Sequence, residues 1–126
     1  MIHNFVFTGN IDEDAMNNLT DILQAITLGL VTACFLLNTG RGIKAIGICK
    51  ECLIFLDNEV LKTGEGLFNL INICIYQIIF KTYCLNPDYT KALIYGRELL
   101  EIYHECGETS QEGNLTVAMA EICEQQ

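Results

Sequence analysis

Residues 91–126, KALIYGRELLEIYHECGETSQEGNLTVAMAEICEQQ, read as a helix, a turn and a second helix, and an earlier part of the chain repeats them. The first of these helices is expected over 89–106, ending near Gly107, and the second over 111–124. A shift of 47 residues, from Lys44 to Lys91, places KAIGICKECLIFL (44–56) on KALIYGRELLEIY (91–103) without a gap. Lys44 falls on Lys91, Ala45 on Ala92, Glu51 on Glu98 and Leu53 on Leu100, and Glu65-Gly66 lands on Glu112-Gly113. Spacing kept from one helix through a turn into the next is what a tandem helical-hairpin repeat leaves in a sequence.

Further from that stretch, apolar residues recur at Met16, Leu19, Ile22, Leu23, Ile26, Leu30, Ala33 and Leu37, which is helical spacing. They predict a helix over 14–38, capped by Asp12 or Asp14 and closed by the punctuation Asn38-Thr-Gly-Arg-Gly42. A second helix is predicted over 42–58, with a buried stripe of Ala45, Ile48, Cys49, Cys52, Phe55 and Leu56. The polar connection DNEVLKTGEG leads to a third over 64–85, apolar on most sides through Leu67, Leu70, Ile73, Ile75, Ile78 and Phe80. Such a helix is normally covered on more than one side. Asn86-Pro87-Asp88 stops it, because proline cannot continue the hydrogen-bond ladder. Residues 1–13, with the short run Phe5-Val6-Phe7, are a lead-in. No segment alternates as a strand, so the chain reads as one all-α domain over 1–126, about five antiparallel helices joined by short loops.

The composition fits a folding chain: 51% apolar, 18% charged, one proline among 126 residues. The net charge is -9, and after Arg97 there are seven Glu (98, 101, 105, 108, 112, 121, 124) and no Lys or Arg. A field of that sign argues against nucleic acid and favours a basic peptide or protein as partner. Seven cysteines, an odd number spread through helical patterns, read as reduced thiols in a cytoplasmic protein. The NLT sequons at Asn18 and Asn114 are discounted, since the start lacks the basic and apolar regions of a secretory signal. The uncharged run 22–40 has close to the roughly 20 residues that cross a bilayer, whereas the run Leu67 to Phe80 is too short. Two buried core helices account for both runs; insertion in a membrane is the remote alternative.

Cys49-Lys-Glu-Cys52 is the one motif suggestive of redox or zinc chemistry. A structural zinc site needs four ligands, and Cys106 with His104 supplies no second pair at the proper spacing. A thioredoxin-like site would sit at a strand-to-helix junction, whereas this motif lies inside a predicted helix and aligns with Gly96 and Leu99, positions that pack. His3 and His104 pair with no nucleophile, and neither a G-x-S-x-G, a P-loop nor a G-x-G-x-x-G occurs. No catalytic residue, cofactor or metal is expected.

The repeat resembles the tetratricopeptide family, in its longer-period form. Lys91-Ala92-Leu93 and Leu100-Glu101-Ile102 match the family's K-A-L/I and L-E-I positions, followed by a short turn and an E-G opening the next helix. Where that helix should carry a large apolar residue, a small one and then an aromatic, this chain has Met119, Ala120 and Cys123, and one repeat earlier Asn72, Ile73 and Tyr76. The resemblance covers 43–126, with 15–42 a degenerate first element, and HEAT-like or armadillo-like pairs are the nearest structural alternative. It implies a short right-handed α-solenoid whose concave face holds a peptide or partner helix. On that face the resemblance places Leu67, Leu70, Cys74 and Gln77 of helix three and Asn114, Val117, Glu121 and Glu124 of helix five, one half apolar and the other acidic. The leading expectation is therefore a scaffold or adaptor without chemistry of its own. The second is a structural, oligomerising helical fragment of a larger array, self-associating through the amphipathic last helix, which has no following helix to cover it.

Overall fold

Two glycines and one proline cut this apolar chain into helices. The computed structural model describes residues 13–57 and 65–125, and these form α1 (Glu13–Asn38), α2 (Gly42–Leu56), α3 (Glu65–Leu85), α4 (Tyr89–Glu105) and α5 (Thr109–Gln125), with no strand among the described residues. The lead-in with His3, the cap at Asp12, the connection 58–64 and the helix ends expected at 58 and 64 lie outside the described residues.

Gly40 and Gly107 adopt φ of 80° and 73°. That left-handed conformation costs glycine little and closes each helix in the same way. Arg41 N donates to Leu36 O at 2.7 Å and Gly40 N to Leu37 O at 3.3 Å; Glu108 N donates to Tyr103 O at 2.9 Å and Gly107 N to His104 O at 3.2 Å. Because this turn uses only Cys106, Gly107 and Glu108, α5 starts at Thr109, two residues ahead of the expected 111. Its first turn then holds Thr109 and Ser110, residues better placed at a helix start than in its interior. At the proline stop, Asp88 becomes the N-cap of α4, its Oδ1 accepting from Lys91 N at 3.2 Å.

Consecutive helices run antiparallel and make the principal contacts, joined by a further contact of α1 with α3. Cys52 of α2 meets Ile26 of α1, the N-terminal Gly42 of α2 meets Thr82 and Asn86 near the end of α3, and Tyr83 and Tyr95 stack across α3 and α4 at 5.5 Å. One cluster of buried residues joins all five helices through Ile26, Ala45, Cys49, Leu56, Ile75, Ile79, Ala92 and Ile122; a second joins Ile73, Leu99, Tyr103 and Leu115.

The 47-residue spacing reappears in burial. Ala45 and Ala92, Cys49 and Gly96, Cys52 and Leu99, Leu56 and Tyr103, and Ile75 and Ile122 are all buried. The same four steps along α2 and α4 thus face inward, with a small residue at the first step of each.

Candidate functional site

The three last helices enclose a groove. Leu99 and Tyr103, buried on α4, form its floor, and Gln77 and Phe80 of α3 face Gln111, Asn114, Leu115 and Ala118 of α5 across a volume of about 300 Å³. The helices come this close because Gly96 lacks a side chain: a β-carbon there would lie 3.0 Å from both Met119 Sδ of α5 and Phe80 Cε1 of α3. Gln77 Nε2 donates to Tyr103 Oη at 2.7 Å, fixing one wall to the floor. The groove offers an apolar floor and a rim of three amides, and no charged residue among those described lines it.

Of the eight residues placed on this face by the repeat, only Gln77 and Asn114 share the groove. Leu67 is half-buried against the main core, and Cys74 is half-buried with its thiol pushed up by burial and then by Cys34. Leu70 and Val117 are both 60% exposed, and Glu121 and Glu124 are exposed further along α5. The 47-residue register pairs Gln77 with Glu124, yet the structure sets it across from Asn114. The 17-residue length of α4 and its two short turns instead fix the stagger. The repeat does not single out Leu99, Tyr103, Leu115 or Phe80 as groove residues. Their one sequence signal is Tyr103, a hydroxyl-bearing side chain at a position of the buried stripe.

The carboxylates gather on the other side of α4. Arg97, Glu98, Glu101, His104 and Glu112 border a hollow of about 390 Å³, and His104 Nδ1 lies 3.3 Å from Glu112 Oε2. Tyr76 stays protonated here, pushed up to about 12 by burial and then by the charge of Glu98, to which it hydrogen-bonds.

Cys49 and Cys52 are packing residues. Burial, then Cys52 and Cys34, push the Cys49 thiol up to about 12, and Cys52 is raised by burial and then by Glu51. The Cys52 thiol lies 3.9 Å from the Ile26 carbonyl oxygen and donates to it. A neutral, buried thiol is a poor nucleophile and a poor metal ligand. Among the described residues no three His, Cys, Asp or Glu gather as a metal site would require.

Two helices, Thr20–Asn38 and Gly66–Leu85, are long and apolar enough to cross a membrane. The second exceeds the run read from sequence because the helix continues past Lys81, a single charge within 20 residues. Comparison with protein-family models, with curated proteins and with solved structures finds no match.

Proposed function

We propose that the chain is a protein–protein interaction module, a short right-handed stack of tetratricopeptide-like hairpins whose groove between α3 and α5 takes a peptide or a partner helix. The observation that carries this reading is the groove itself, apolar at its floor and amide-bearing at its rim. Two features of the fold support the stack: inward positions repeat every 47 residues, and the helices contact chiefly their neighbours in the chain.

The groove's chemistry selects its occupant. A peptide backbone carries one donor and one acceptor per residue, and an amide side chain supplies both, so Gln111 and Asn114 can hold a backbone in either role. An apolar side chain of the partner would fill the space above Phe80, Tyr103 and Leu115. Lys or Arg beside it would meet Glu121 and Glu124, exposed on the continuation of α5. No catalysis is assigned, and the seven free thiols support a reducing, cytoplasmic setting.

Fluorescence-polarisation titration with a library of basic peptides carrying one apolar residue tests the proposal. Binding should weaken as salt rises and be lost in Ala118→Trp, which fills the groove from its wall, while the melting temperature stays unchanged. Binding that survives Ala118→Trp would sink the groove as the site.

A further inference from the structure

Helix α1 has two apolar seams. Leu23, Ile26 and Ala33 are buried in the main core, with Leu30 and Leu37 packed beside them. On another side Leu28, Val31 and Phe35 stand 69%, 64% and 59% exposed. With Gln24 before them and Asn38 after, they are spaced by four, three, four and three residues, the period of a helix that pairs with another helix. At about 100° per residue this seam lies roughly 140° around the helix axis from the buried one. The hydroxyls around it are already satisfied: Thr27, Thr32 and Thr39 donate to the carbonyls of Leu23, Leu28 and Phe35 at 2.8, 2.7 and 2.8 Å. From 22 to 40 the helix and its end carry no charge.

The charge distribution says what covers this seam. A chain of net charge -9 repels its own copy over most of its surface. The seven Glu that follow Arg97 ride on α4, α5 and the turn between them, whereas α1 makes its principal contacts with α2 and α3. The seam on α1 is thus a face on which two copies can meet, uncharged against uncharged. A basic peptide finds no carboxylate along it, so it does not compete with the groove for the same partner. We infer that α1 pairs with α1 of a second copy, with Leu28, Val31 and Phe35 as the seam of a reversible homodimer. A pairing about four turns long buries less than the roughly 1,200–2,000 Å² of stable complexes, so the dimer depends on concentration. Seam and groove lie on different helices, and neither needs the other to be occupied.

Sedimentation equilibrium of the full chain over a range of concentrations and salt is the test. A monomer–dimer equilibrium is expected, tightening as salt screens the net charge, the opposite sign to peptide binding in the groove. Val31→Glu and Val31→Lys should each raise the dissociation constant at least about tenfold. Their helicity by circular dichroism should match wild type, since Val31 is exposed. Mixing the two variants should restore association, whereas Val117→Glu, on the last helix, should leave it unchanged. A wild-type chain that stays monomeric at all concentrations would overturn the inference. So would a dimer indifferent to Val31→Glu or broken by Val117→Glu, or a monomer that floats with phosphatidylcholine vesicles.

Discussion

Gly29 decides how closely α1 approaches α2. A β-carbon built there would lie 2.7 Å from Cys52 Sγ and 3.4 Å from Ile48 Cγ2. Alanine gains up to about 1 kcal/mol of helix propensity over glycine, but overpacking a tight contact costs about 1–3 kcal/mol. Cys52 is buried and held toward the Ile26 carbonyl, so the clash outweighs the gain. Gly29→Ala is expected to destabilise the fold by about 1 kcal/mol, and Cys52→Ala to offset part of that loss in the double variant, as urea denaturation would show. A β-carbon at Gly47 would meet nothing within 4 Å, so Gly47→Ala should stabilise by about 0.5–1 kcal/mol. The sequence places Cys52 on the packing stripe of its own helix, through the match with Leu99. It cannot reveal the partner of Cys52, because a glycine inside an apolar run records a cost in helix propensity and not the neighbour that requires it.

At the scale of the element, helix ends are the most legible feature. Asn38-Thr-Gly-Arg, Asn86-Pro-Asp and Cys106-Gly-Glu each carry a residue whose backbone preference forces a stop, and the structure breaks the chain at all three. The proline stop adds a side-chain cap: Asp88→Ala should cost about 1 kcal/mol, measured as a shift of the urea midpoint. The ion pair of Asp88 with Lys91, 3.9 Å long and exposed at both ends, adds little to that figure. The candidate site is half legible. A repeat gives the face of a helix that looks inward, and so finds Gln77 and Asn114, but the level at which two helices face each other depends on the length of the helix between them. The 47-residue register therefore pairs Gln77 with Glu124 and leaves the α4 floor, Leu99 and Tyr103, out of view.

For the whole molecule, burial of two acidic groups ties stability to pH. Cys49 and Tyr76 are each pushed up to about 12 in the folded chain, above the ordinary 9.0 and 10.0 of thiol and phenol. Between those limits the unfolded chain gives up protons that the folded chain keeps, so stability is full below pH 9 and falls as pH rises through this window. Cys49 alone contributes up to about 1.4 kcal/mol per pH unit there. Urea midpoints at pH 7 and pH 10 should differ in that direction, and Cys49→Ala should reduce the difference; equal midpoints would refute it. The all-α class is legible because the apolar residues from Met16 onward recur at helical spacing. The exposure of one side of α1 is not, since an uncharged helix of this composition predicts burial all round and nothing in its residues names the side left open. The serial order of contacts reaches beyond the folded state. When helices touch mainly their neighbours in the chain, little loop entropy is lost before each contact forms. Such a chain can assemble hairpin by hairpin and fold quickly, and a hairpin at one end can open and reclose while the others hold.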